Sequence, residues 1–185
     1  MSSFSVVLDA CVLIKASLRD TLIRAYGANL YRLHWSDDIF AEVVRNLVET
    51  GMTTELGAKR LEDRFRTVLE AAEVTGYTAL IPTMTNHPKD RHVVAAAVVA
   101  GAQVIVTENL RDLPASTLEP FDIEAQSPDR FLVDLFDLDA EAMIQIIHEQ
   151  SRATNRPHLS VDTVLDHLDR DGAPRFAALV RAELS

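Results

Sequence analysis

A single cysteine, Cys11, is all that this 185-residue chain contains. That scarcity excludes an internal disulfide and any cysteine-rich zinc site, and Cys11 reads as a small buried residue. Long hydrophobic runs are missing too: none approaches the roughly 20 residues that cross a bilayer. The N-terminus has no basic stretch ahead of a long apolar one, so neither a membrane partner nor a signal peptide is expected, and the cytoplasm is the expected compartment. Positive charge is scarce, with 18 Lys and Arg against 28 Asp and Glu and a formal net charge of −10. The deficit is even: 12 against 17 over residues 1–126, and 6 against 11 over residues 127–185. Such a chain repels polyanions globally, which disfavours simple nucleic-acid binding; work on nucleic acid needs metal ions or a local basic patch. Internal repeats and low-complexity segments are also absent.

What is present is a globular composition, 48% hydrophobic and 25% charged, on a chain long enough to bury a real core. Residues 4–9 form a short Val-rich run that predicts a buried strand. A helix is expected from Val12 to Tyr26 and a second strand over Leu30–Leu33. Ser36 reads as an N-cap, with Asp37 and Asp38 in the first turn of a helix running to Glu49. Thr53 or Thr54 caps a long amphipathic helix to about Ala72. Tyr77–Ile81 is a third strand candidate, closed by Pro82. After the polar loop 83–89, the stretch "DRHVVAAAVVAGA" predicts a helix that is apolar nearly all round and so buried. Gln103–Thr107 and Phe121–Ala125 complete the strands. Strands alternating with helices point to an α/β fold with a mostly parallel sheet covered on both faces. From Ser127-Pro128-Asp129, a strong helix start, only helical patterns follow: 130–138, 140–152, 161–168 and 174–184. The expected division is an α/β domain over 1–126 and a helical C-terminal extension over 127–185.

The acidic residues carry the functional argument. Sites on open parallel sheets form beyond the carboxyl ends of the strands. Asp9 falls there after the first strand, and Asn109 and Asp112 fall just after the "VIVT" strand. Asp90 opens the buried helix, where the helix dipole should keep its carboxylate ionised. Glu42 sits at the edge of the apolar face made by Ile39, Phe40, Val43, Val44 and Leu47, placed to reach over a sheet end. Each acid alone has a plain reading as a cap or a surface charge. Together, several carboxylates without a His or Cys cluster suit Mg2+ or Mn2+. Among the six histidines only His92 lies beside a motif, and it is expected to brace the loop with a hydrogen bond. Lys59, Arg60, Arg64 and Arg66 read as a solvated face.

In order and spacing, "VVLDACVLI", "SDDIFAEVVRNL", "HPKDRHVVAAAVVAGAQVIVT" and "TENLRDLP" resemble the four acidic motifs of PIN-domain nucleases. The closest likeness is to VapC-type toxins of bacterial toxin–antitoxin pairs, and the helical tail resembles the extension seen in some of them. The resemblance implies a three-layer α/β/α sandwich and a metal-dependent ribonuclease leaving 5′-phosphate and 3′-hydroxyl ends. It also implies Asp9, Glu42 and Asp90 as core acids. The family's fourth acid is replaced: Asn109 stands where many members carry Asp, and Asp112 lies three residues on. Asp9, Glu42, Asp90 and Asp112 are thus the candidate catalytic and metal-binding residues, with Thr107, Asn109 and His92 as candidates for positioning a water or bracing the site. Its partners would be an RNA substrate and a small antitoxin with a basic segment, with the RNA-binding residues and self-association into a homodimer left open. An aspartyl phosphatase is disfavoured, because the second Asp it usually needs two residues on is Cys11. The receiver pattern is absent. A PIN fold without activity, binding RNA or protein, is the alternative.

Overall fold

In a computed structural model, residues 4–153 and 159–185 are described. β1 (Ser5–Leu8) is buried along its whole length, as its β-branched residues suit when a strand is covered on both faces. It pairs with β2 (Arg32–His34) on one side and β3 (Val104–Val106) on the other, and β4 (Glu124–Gln126) lies outside β3. Every pairing is parallel, so all four carboxyl ends open onto one edge. Val7 faces His34 across one ladder and Ile105 across the other, while Val106 faces Gln126. The sheet is flanked by helices, as expected, and is wholly parallel.

The helices follow local rules. Ser36 caps α3 (Asp37–Glu49), accepting from the Ile39 amide, and Thr54 caps α4 (Glu55–Val68), accepting from the Gly57 amide. α5 (Arg91–Ala100) is buried along Val93–Ala97 and ends at Gly101, whose φ of 59° is the left-handed conformation of a helix stop.

Four expectations fail. The helix expected over 12–26 is two helices, α1 (Ala10–Leu13) and α2 (Ala16–Gly27). Lys15 is extended between them, and the Arg19 guanidinium donates to the freed carbonyls of Leu13 at 2.5 Å and Ile14 at 3.4 Å. Tyr77–Ile81 is not a strand but lies in a 3-10 segment, Thr78–Thr83, that contains Pro82. Tyr77 instead anchors α3, its hydroxyl donating to the Asp38 carboxylate at 2.8 Å. The last strand begins later than expected, because a 3-10 turn over Glu119–Phe121 and a left-handed Asp122 precede it. α4 also stops early, at Val68, with a 3-10 turn over Glu70–Ala72 behind it.

After the short α6 (Ala115–Leu118), four helices follow the sheet: α7 (Pro128–Leu138), α8 (Ala140–Ala153), α9 (Val161–Arg170) and α10 (Pro174–Glu183). α8 and α9 pack on α2, and α10 packs on both α7 and α9. The core runs without a break from sheet to tail: Phe131 of α7 meets Tyr31 edge-on at 5.2 Å and Phe4 at 6.1 Å. Among the described residues, no helix is long and apolar enough to cross a membrane.

Candidate metal centre

Asp9 follows β1 directly, its amide bonded to the Val106 carbonyl of β3 at 3.0 Å. It is both a cap and a site residue. One carboxylate oxygen accepts from the Ala10 amide at 2.7 Å. The other accepts from the Thr107 hydroxyl at 2.6 Å and the Cys11 thiol at 3.3 Å. The Asn109 amide donates to the Thr107 hydroxyl at 2.9 Å, which leaves that hydroxyl's proton for Asp9. Burial, and then the charge of Asp9, push the Cys11 thiol up to about 12, so it stays protonated as a donor at neutral pH. Only 2% of Asp9 is exposed, and its charge is held by these donors.

Asp90 comes from a separate segment, ahead of α5. It ends the 3-10 turn Pro88–Asp90 and stands at the N-cap of α5 without capping it through its side chain. It too is 2% exposed, and its Oδ2 has no hydrogen-bond partner. Burial raises its pKa; the charges of Asp9, Asp112 and Glu42 raise it further, and Lys89 opposes them. The shift runs opposite to the effect of a helix N-terminus, because desolvation and three neighbouring acids outweigh the helix end.

Glu42 lies on α3, partly buried, its two carboxylate oxygens 3.9 Å from Lys89 Nζ and 3.8 Å from His92 Nε2. His92 does not make the expected bracing bond: its Nε2 is buried without a hydrogen-bond partner and stands beside Glu42 as an electrostatic neighbour. Asp112 is tied by backbone, its amide donating to the Asn109 carbonyl at 3.0 Å and its carbonyl accepting from the His87 amide at 3.3 Å. The loops after β3 and before α5 thus hold each other, and they bring together acids far apart in sequence.

Two residues were missed. Cys11 is no inert core residue but a half-buried partner of Asp9. His87 belongs to the polar loop 83–89 in the sequence pattern, yet His87, Asp90 and Asp112 each offer a ligand atom within 4.8 Å of the others'. The signal available was the His-x-x-Asp spacing at the mouth of a buried helix. Arg66 of the supposed solvated face is also engaged, pairing with Asp37 at 2.6 Å and Glu62 at 2.9 Å and lying over Trp35.

The donors fit a divalent cation. They are mostly carboxylate oxygens, and the buried Asp90 carboxyl lacks a partner that such an ion would supply. A family model described as "PIN domain" matches residues 5–111, more than half of the chain. The chain belongs to the PIN-domain family. A second model, "VapC50 C-terminal domain", matches residues 128–182, which are the helices behind this PIN sheet. The chain is 44% identical over 113 residues to "Putative ribonuclease VapC50" of Mycobacterium tuberculosis (strain ATCC 25618 / H37Rv). That match covers 61% of this chain and 66% of the relative, just under two thirds of the relative's length. No solved structure gives a significant match. The PIN assignment agrees with the parallel sheet and with a cluster at its carboxyl edge.

Proposed function

We propose that this chain is a metal-dependent ribonuclease, the toxin of a toxin–antitoxin pair, acting through Asp9, Glu42, Asp90 and Asp112. One observation carries the reading: the Asp90 carboxyl is buried with its Oδ2 unpartnered, and its pKa is raised by that burial and then by the charges of Asp9, Asp112 and Glu42. Asp9 and Asp90 would hold Mg2+ or Mn2+, with Glu42 and Asp112 completing the set. The bound ion would supply positive charge that offsets the repulsion among the carboxylates and stabilises charge on the phosphate and the leaving oxygen. Glu42 would accept the proton of the attacking water as the phosphorus–O3′ bond breaks and the departing O3′ takes a proton from solvent, leaving 5′-phosphate and 3′-hydroxyl ends. Thr107, oriented by the Asn109 amide, would keep Asp9 in one rotamer. The name of the Mycobacterium tuberculosis relative supports ribonuclease chemistry. The net charge of −10 supports a small partner with a basic segment, whose Arg or Lys would pair with the acids and displace the ion. We further propose residues 1–126 as the nuclease domain and 127–185 as a helical extension that braces it.

The test is cleavage of single-stranded RNA by the full chain with Mg2+ or Mn2+, with the ends mapped. Asp9→Asn and Asp90→Ala should each abolish cleavage while the fold persists, and chelation should do the same. Either ion should raise the melting temperature of the wild type, and far less that of Asp9→Asn. RNA bound but never cut would make this a binding module. For the partner, deleting its basic segment should restore cleavage while the two proteins still associate; full inhibition by the truncated partner would mean that the RNA path is covered instead.

A further inference from the structure

The cluster has a feature that an all-oxygen site lacks. Among the described residues, His87, Asp90 and Asp112 are the one set whose ligand atoms all lie within 4.8 Å of one another, and Asp9 and Glu42 stand outside it. The backbone fastens the three. The His87 amide donates to the Asp112 carbonyl at 3.3 Å, and the Asp90 amide donates to the His87 carbonyl at 3.0 Å. Pro88 at the first position of the turn stiffens the chain between His87 and Asp90. The imidazole is exposed and accepts only a long contact, 3.4 Å, from the Lys89 amide, which it can yield at little cost. Independently, the Asp90 carboxyl is buried with Oδ2 unpartnered, a group that calls for a cation.

We propose that His87, Asp90 and Asp112 form a mixed nitrogen–oxygen site that takes a divalent first-row transition ion in preference to Mg2+. Mg2+ demands oxygen donors and keeps its waters, and gains little from an imidazole; transition ions bind the nitrogen more strongly. The inference rests on the nuclease reading only for what the ion does, not for its binding. Asp90 belongs both to this set and to the four acids proposed for the nuclease.

Mn2+ is the probe, added at one equivalent to the metal-stripped, tag-free full chain. Pulsed electron paramagnetic resonance should show nitrogen coupling in the wild type and in His92→Gln, and none in His87→Gln. In His87→Gln, Mg2+ should displace Mn2+ at a concentration lower by about tenfold or more. Unchanged melting in chelator checks that the exposed His87 can be replaced without harm to the fold. Absent coupling in the wild type, or coupling that survives in His87→Gln or disappears in His92→Gln, overturns the site. RNA cleavage is read separately. Nitrogen-coupled Mn2+ without cleavage upholds the site and sinks the nuclease reading; cleavage without coupling does the reverse.

Discussion

Asp9 is buried and its carboxylate accepts hydrogen bonds from Ala10, Thr107 and Cys11, the shortest of which, at 2.6 Å, comes from Thr107. Thr107→Val keeps the shape and deletes that donor. A hydrogen bond to a charged group contributes about 1.5–3 kcal/mol, so urea unfolding of the metal-free variant should show a loss of that size. Asp90 is the opposite case, a buried acid among acids. Its raised pKa means that the native state takes up this proton more readily than the unfolded chain does. The stability linked to the proton is present in full below the unfolded value and is lost as pH rises through the folded one. In chelator, Asp90→Asn should therefore melt higher than the wild type at neutral pH. The gap should close as the pH falls and the wild-type carboxyl protonates. Melting temperature against pH checks this, and a variant that melts lower at neutral pH would contradict it.

α3 shows how one short stretch places a functional side chain. Ser36 is fully buried and caps the helix, the apolar face from Ile39 to Leu47 enters the core, and Glu42 is left at the edge beside Lys89 and His92. Ser36→Ala should cost about 1 kcal/mol, the usual loss for an N-cap, measured by chemical denaturation. Those features are local and could be read from the sequence. Tyr77–Ile81 could not. Its apolar run suits a strand, but among the described residues the one bridge beyond the end of β2 joins Trp35 to Glu73, and the chain over Thr78–Thr83 coils into a 3-10 turn. The break at Ile14–Lys15 was equally illegible, because distant partners stabilise it. Lys15 Nζ reaches Glu108 at 2.6 Å and the Asp171 carbonyl at 2.9 Å.

Those contacts join the two ends of the molecule. Asp171 lies in the turn between α9 and α10, bonded also to Ser17, while Glu108 follows Thr107 in the site loop. Gly172 sits at φ 106°, and a Cβ there would meet the Glu108 carboxylate at 2.9 Å. Gly172→Ala should strain this turn by about 1–3 kcal/mol and push Glu108 off Lys15. Hydrogen exchange should then accelerate at the Glu108 and Asn109 amides, more than 60 residues from the substitution in sequence. Protection unchanged at those amides would show that the tail does not brace the site. The aromatic contacts of Phe131 with Tyr31 and Phe4 make the same connection through the core.

Alternation of strands and helices, the caps at Ser36, Thr54 and Ser127, and the position of Asp9 after a buried strand were all decided by near neighbours in the chain. Residues a few places apart set those energies, so the α/β class and the helical tail were legible without coordinates. The sequence order of the acidic motifs was legible for the same reason. Tertiary structure alone decided the rest. Whether Asp90 is comfortable depends on Asp9, Asp112 and Glu42 arriving from three other segments, and on burial that strips away water. Whether Cys11 is filler or donor depends on Thr107 and Glu108, nearly a hundred residues away. His87 becomes a ligand candidate only when the loop after β3 closes onto it through Asp112. Charge and burial act through space, and a linear pattern carries no record of which distant side chain will share a pocket.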